Sequence, residues 1–149
     1  MSKELSRHEI RKKAVQALFP LDINQSLAKK DAIDAALELE NSEIVDKAQE
    51  NFVPSYLDLL VTGVCEKKAE LDERIKSHLR KGWRLERLSK MDLVVLRIAL
   101  FEMLYVDDTP NRVALNEAIE LTKTFSDENS HKFINGILSA VNTEIEASL

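Results

Sequence analysis

Apolar residues recur every three or four positions along most of the chain, which is the spacing of one buried face on an α-helix. Residues 92–106 differ, because they are apolar almost throughout and only Arg97 and Glu102 carry charge after Asp92. A helix that is apolar on every side must be enclosed by other elements. The run is shorter than the roughly 20 apolar residues of a membrane span. We therefore predict a central buried helix over residues 90–106.

Local signals predict the ends of this helix and the positions of its neighbours. Ser89 precedes Asp92 by three residues in a capping-box arrangement, and Pro110 cannot continue a helix. The polar stretch 41–51 is ambiguous, with room for a short helix around Ile44. Amphipathic spacing predicts further helices at residues 7–22, 26–40, 54–81, 112–125 and 130–147, with a single turn at 85–88.

Several single residues carry structural predictions of their own. Pro20 should kink or end the first helix, because it lacks an amide hydrogen and its ring clashes with the preceding turn. Gly82 suits the C-terminal cap of the long helix, since glycine readily adopts a left-handed conformation. Cys65, in the middle of that helix, is predicted to be a small buried residue. Val113 and Asn116 are predicted to face the other helices.

The composition is that of an all-α protein. Only 3 Gly and 3 Pro occur among 149 residues, and 32% of the residues are charged, which suits helices better than tightly turning sheets. The length predicts one domain over residues 1–149, with an N-terminal helical half at about 1–82 and a C-terminal half at about 83–149. A lone cysteine excludes a disulfide framework. The polar N-terminus has no apolar signal core, so we expect a cytoplasmic protein without membrane contact.

Arg97 lies in the middle of the apolar helix, where an uncompensated charge is costly. We therefore predict that its side chain is buried and pairs with a carboxylate, for which Glu117 and Glu102 are the candidates. This structural role is favoured for Glu117 over a catalytic one.

Charge is distributed unevenly around the net value of −5. Residues 1–13 carry five basic side chains against two acidic ones, and residues 74–90 carry seven against one. Two basic islands on an acidic background are typical of a local polyanion site, because phosphate binding depends on local potential. They are equally compatible with solvated helix ends, and composition does not separate the two interpretations.

Motifs of enzymatic chemistry are absent. The sequence contains no phosphate-binding glycine loop, nucleophile elbow or metal signature, and His8, His78 and His131 lie far apart along the chain. We therefore expect no enzymatic activity, no cofactor and no metal. A nucleic-acid-binding module and a helical adaptor that binds only protein remain as alternatives.

Three segments together resemble the C-terminal signature of the NusB family of bacterial transcription antitermination factors. They are residues 96–104 (LRIALFEML), 113–121 (VALNEAIEL) and 130–138 (SHKFINGIL). Residues 7–19 resemble the arginine-rich opening helix of that family. A NusB-like domain also occurs fused to ribosomal RNA methyltransferases, but this chain has no room for a methyltransferase, so it resembles the stand-alone factor.

The resemblance implies two helical bundles packed together into one compact domain. It also implies binding of the single-stranded boxA element in ribosomal RNA leader transcripts, together with NusE, a small-subunit ribosomal protein. This complex joins other Nus factors on RNA polymerase and suppresses termination.

The resemblance further implies an RNA path along the opening helix, its aromatic end and the start of the last helix. The RNA-binding positions carried over are Arg7, His8, Arg11, Phe19, His78, Lys132 and Phe133. Phe19 lies one step off the apolar stripe of the opening helix, and the residues alone favour an ordinary core aromatic there. It is often Tyr in the family, so on the RNA path stacking is kept and a phenolic hydrogen bond is lost. His78 replaces an aromatic residue, and Asn129 stands where Asp is common. Glu9 and Lys12 shift the charge pattern of the opening helix.

The predicted roles of Phe133 in RNA binding and of Asp92 in NusE binding also have a physical basis in the sequence itself. Phe133 lies beside an apolar stripe, so it is either a core residue or a stacking platform. Lys132 and the free N–H groups of a helix N-terminus favour the platform. Asp92 marks the predicted NusE-binding face near the start of the central helix, because a basic ribosomal protein is complemented by an acidic surface.

Overall fold

The computed structural model describes residues 5–39 and 54–148, and these residues form helices without any strand. The predicted all-α class is confirmed. The possible short helix around Ile44 lies outside the described residues. The helices are α1 (Arg7–Ile23), α2 (Lys29–Glu38), α3 (Ser55–Ser77), α4 (Lys90–Tyr105), α5 (Asn111–Phe125) and α6 (Glu128–Ala147), with a 3₁₀ turn at Leu85–Arg87 before α4.

Backbone contacts divide the chain into two compact units, Met1–Gly63 and Val64–Leu149. The division falls inside α3, whereas the sequence pattern places a division near residue 82, and the predicted domain organisation stays a prediction. In the first unit α1 packs against α2. In the second unit α4 packs against both α5 and α6, which also pack against each other.

α1 begins where the capping box predicts. The Ser6 hydroxyl oxygen accepts a hydrogen bond from the backbone N–H of Glu9 at 3.1 Å, which satisfies one of the unpaired amides of the first turn. The helix continues through Pro20 to Ile23, so the prediction that it ends near residue 22 is confirmed within one residue. Pro20 sits in the last turn, and its carbonyl still accepts from Asn24 N–H at 2.9 Å.

α4 is the enclosed central helix of the second unit. The Ser89 hydroxyl oxygen accepts from the backbone N–H of Asp92 at 3.0 Å, so the helix starts at the predicted cap. Twelve of its 16 residues are buried, which leaves no solvent-facing stripe on most of its length. The predicted burial on all sides is therefore confirmed.

Arg97 is buried and paired, as predicted. Its Nε and Nη2 donate to the two carboxylate oxygens of Asp72 at 2.8 and 3.0 Å, a bidentate geometry that joins α4 to the C-terminal part of α3. The side chains are 5% exposed for Arg97 and 16% exposed for Asp72. Asp72 was not among the predicted partners, because sequence spacing does not reveal which carboxylate faces α4.

Some predictions about α3 and α5 are wrong. Cys65 is exposed, because it lies one position beyond Val64 in the buried row of α3 and so points away from it. Val113 and Asn116 are exposed too, since α5 buries a narrow stripe of Ala114, Ala118 and Leu121. α3 ends at Ser77, before Gly82, so Gly82 does not cap it.

Candidate nucleic-acid interface

A tight turn at residues 80–83 follows α3. The backbone N–H of Trp83 donates to the carbonyl oxygen of Arg80 at 2.9 Å, and Gly82 has φ +91°. A hydrogen bond from the fourth residue of a turn to the first, with positive φ at the third residue, defines a type II turn. The third position of such a turn, here Gly82, favours glycine. Arg80, Lys81 and Arg84 flank Trp83 in sequence at this turn, and all four side chains are exposed.

Trp83 and Phe133 form a stacked pair. Their ring centroids are 5.7 Å apart and their planes are inclined by 21°. Trp83 is 54% exposed, and Phe133 is half-buried at the start of α6, directly after the exposed Lys132. We name this surface the aromatic–basic patch, which consists of Arg80, Lys81, Trp83, Arg84, Lys132 and Phe133. The prediction that Phe133 is partly exposed is confirmed.

A network of short hydrogen bonds holds the start of α6. The hydroxyls of Ser126 and Ser130 donate to the two carboxylate oxygens of Asp92 at 2.8 and 2.9 Å. Asp127 caps α6 by accepting from the backbone N–H of Ser130 at 3.1 Å. One of the N–H groups that we expected to be open to a phosphate is therefore already bonded to a carboxylate. The aromatic ring and Lys132 remain as the features that suit a nucleotide at this position.

Asp92 has a structural role that the sequence did not reveal. Its side chain is 8% exposed, and both carboxylate oxygens accept from serine hydroxyls. The expectation of an accessible acidic group at Asp92 is wrong, because the start of α4 packs against the segment between α5 and α6. Whether NusE binds near this end of α4 stays a prediction, but Asp92 does not offer it an exposed carboxylate.

The predicted residues of α1 differ in their exposure. Arg7 is exposed, and its guanidinium carbon lies 3.5 Å from the centroid of the Tyr56 ring, within the first unit. This cation–π contact orients the guanidinium on a flat aromatic surface. His8 and Phe19 are half-buried.

Arg11 is only 4% exposed, so it does not offer the accessible guanidinium that a place on the predicted RNA path requires. Lys13 is equally buried, and its Nζ donates to the carbonyl oxygen of Leu39 at the end of α2. A cation at the C-terminal end of a helix is favourable, because that end carries partial negative charge. Two of the basic residues of α1 are therefore enclosed by the fold.

His78 contacts the later part of α6, away from Phe133. Its Nε2 is 2.7 Å from Oε1 of Glu144, which also lies 3.6 Å from Nη1 of Arg74. Glu144 follows Phe133 by three turns of α6, which places it roughly 16 Å further along the helix axis. The structure does not bring the imidazole of His78 together with the Phe133 ring.

The described part of the chain contains neither a metal-binding cluster nor a membrane-spanning helix. Residues 5–39 and 54–148 contain no group of three His, Cys, Asp or Glu side chains placed to hold a metal ion. Among these same residues, no helix has the length and hydropathy needed to cross a membrane.

Comparison with known proteins places the chain in a family. The family model described as NusB family matches residues 8–143. The transcription antitermination protein NusB of Enterococcus faecalis is 62% identical over 148 residues, which cover 99% of this chain and 96% of that protein.

Solved structures share the fold. T. maritima NusB has a TM-score of 0.79 at 31% identity, with 95% of this chain and 94% of that chain covered. A structure described as antitermination factors NusB and NusE in complex with dsRNA has a TM-score of 0.75 at 23% identity, covering 93% and 96% of the two chains, a likeness of fold. The chain therefore belongs to the NusB family of transcription antitermination proteins.

Proposed function

We propose that the protein binds the single-stranded boxA element of ribosomal RNA leader transcripts together with NusE, and that this complex helps RNA polymerase read through terminators with other Nus factors. Membership of the NusB family supports the proposal, and it agrees with the expectation that the protein is not an enzyme. A protein of this fold has been solved with NusE and RNA. We place its action in the cytoplasm, where bacterial transcription occurs.

The observation that carries the proposal is the partly exposed ring of Phe133 next to the exposed Lys132. Proteins hold single-stranded RNA by stacking its bases on flat rings and pairing its phosphates with cations. Phe133 supplies a flat ring and Lys132 supplies a cation, at adjacent positions. On the first unit, Arg7 and Phe19 supply a second set. The burial of Arg11 shifts the expected phosphate contact on α1 towards Arg7.

The alternative is a helical adaptor that binds only protein, with the basic islands as solvated helix ends. NusE is the proposed protein partner in both cases, so NusE binding does not separate them. RNA affinity does, because a phosphate-dependent complex loses affinity as salt rises.

We expect the affinity for boxA-like RNA to fall with salt, with a logarithmic slope of about −0.7 for each phosphate neutralised. The measurement is the Kd by fluorescence anisotropy at several salt concentrations, with boxA-like and scrambled RNA, with and without NusE. Arg7→Ala should make the slope shallower by about one phosphate. Lys30→Ala is the matched control, because Lys30 is an exposed cation of α2 paired with Asp34 at 2.9 Å. RNA affinity that is absent or independent of salt would favour the adaptor.

Phe133→Ala should weaken RNA binding by about 1–3 kcal/mol, which is roughly 5- to 150-fold in Kd. The loss of stability should be smaller than the roughly 3–5 kcal/mol of a fully buried phenylalanine, because the ring is only half-buried. Anisotropy measures the first effect and thermal melting the second. A variant that melts early but binds RNA normally below its Tm would show that the ring is a core residue.

The predicted NusE face near the start of α4 needs a new probe, since Asp92 is buried. Glu86 lies in the 3₁₀ turn before α4, and its side chain is exposed. We propose Glu86→Lys as the charge reversal that tests this face.

A further inference from the structure

Trp83 is a large aromatic side chain on the surface of the second unit. One face of its indole packs on Phe133, and 54% of the residue is nevertheless accessible to solvent. Tryptophan is enriched at binding interfaces, where a partner covers the exposed part of the ring. Tyr105, another exposed aromatic residue of the second unit, differs because its hydroxyl donates to the Glu70 carboxylate.

The turn that carries Trp83 is defined by backbone conformation. A Cβ added to Gly82 would meet no atom within 4 Å, so the glycine is needed for its φ of +91° and not for space. With the Trp83 amide bonded to the Arg80 carbonyl, the backbone before the indole is fixed. A ring held from its backbone and stacked on a neighbour loses little conformational entropy on binding, which favours affinity.

The charge around the ring identifies the kind of partner. Arg80, Lys81 and Arg84 flank Trp83 in sequence and are all exposed, and residues 74–90 contain a single acidic residue, Glu86. An aromatic face among cations fits a base with phosphates on either side. Every base has a π-face, so such a platform accepts single-stranded RNA with little dependence on sequence.

We propose that Trp83 is a nucleotide-stacking platform: its outer face takes one unpaired RNA base, extending a stack of base, Trp83 and Phe133, while Arg80, Lys81 and Arg84 contact the adjacent phosphates. The proposal rests on RNA binding as the function of the protein. It adds to that function an aromatic contact outside the opening and final helices, and it assigns a role to the basic island at residues 74–90.

The fluorescence of the full-length protein tests this directly, because Trp83 is the only tryptophan in the chain. A boxA-like RNA should quench the indole emission, with a midpoint equal to the Kd from anisotropy. The same oligonucleotide with abasic sites throughout keeps the phosphates but lacks bases, and it should leave the emission largely unchanged.

Substitutions provide the second readout. Trp83→Ala should weaken RNA binding about 5- to 150-fold, and Trp83→Phe should restore most of the affinity, since a smaller ring still stacks. Tyr105→Ala is the matched control, because it removes an exposed aromatic ring from a surface outside the aromatic–basic patch. If Trp83→Ala fails to fold, Trp83→Phe and the fluorescence of the unaltered protein still decide the question.

The outcomes separate this inference from the function on which it rests. RNA binding that is tight and salt-dependent, without indole quenching or any effect of Trp83→Ala, overturns the platform and leaves the proposed function intact. Absence of RNA binding in the unaltered protein overturns both. A Trp83→Ala variant that loses NusE and keeps RNA would show a protein-binding face in place of a nucleotide platform.

Discussion

Replacing Arg97 with Leu should lower the free energy of unfolding by about 3–5 kcal/mol, the cost of removing one partner from a buried ion pair. The guanidinium makes two hydrogen bonds to Asp72, so its loss strands a carboxylate that is 16% exposed. The partial exposure of Asp72 admits some water, which favours the lower end of this range. Chemical denaturation followed by circular dichroism measures the effect.

A double-mutant cycle separates pairing from packing. Asp72→Leu combined with Arg97→Leu should recover much of the loss, because an apolar replacement of both partners leaves no charge uncompensated. Arg74→Leu is the control, since the contact of Arg74 with Glu144 is 3.6 Å long between side chains that are 40% and 52% exposed. Exposed pairs contribute about 1 kcal/mol or less. If Arg97→Leu costs no more than Arg74→Leu, the buried pair does not stabilise the fold.

Features of the fold encoded by local sequence could be predicted. The serine caps of α1 and α4 bond to amides three residues later, so sequence spacing alone identifies them. The buried row of α6, which includes Ile134 and Leu138, also follows from its spacing. These signals connect residues within one or two helical turns, where chain geometry determines which side chains share a face.

Contacts between distant segments could not be predicted in the same way. Asp72 and Arg97 are 25 residues apart, and their pairing depends on how α3 lies against α4. The contact of Trp83 with Phe133 depends on where a turn after α3 meets the start of α6. The sequence pattern by itself predicts no contact for Trp83, although its position within the basic island at residues 74–90 is a usable signal.

The burial of polar residues was the second feature of the fold that the sequence did not predict. The resemblance places Arg11 on an RNA path along α1, yet Arg11 and Lys13 are both buried. Long basic side chains bury their aliphatic stems while the charged end finds a partner, as Lys13 does at the Leu39 carbonyl. A basic residue on the predicted polar face is therefore a weaker indication of a phosphate contact than its sequence position suggests.

Replacing Asp92 with Ala should lower the free energy of unfolding by about 2–4 kcal/mol, because two hydroxyl groups lose a charged acceptor. Ser126 and Ser130 donate to its two oxygens, and through them the start of α4 holds the first turn of α6. Lys132 and Phe133 follow directly after that turn, so RNA affinity should fall as well. Asp92→Asn keeps one acceptor oxygen and should cost less than half as much.

The cycle of Asp92→Ala with Ser126→Ala tests whether this network has the assigned role. Ser126→Ala alone should cost about 1 kcal/mol, and in the Asp92→Ala background it should cost less, because the bond is already lost. Denaturation measures stability, and titrations with RNA and with NusE measure function in the same variants. If Asp92→Ala keeps full stability and RNA affinity but loses NusE, then Asp92 belongs to the partner surface predicted from charge. If stability and RNA affinity fall together while folded protein still binds NusE, Asp92 acts by positioning the start of α6.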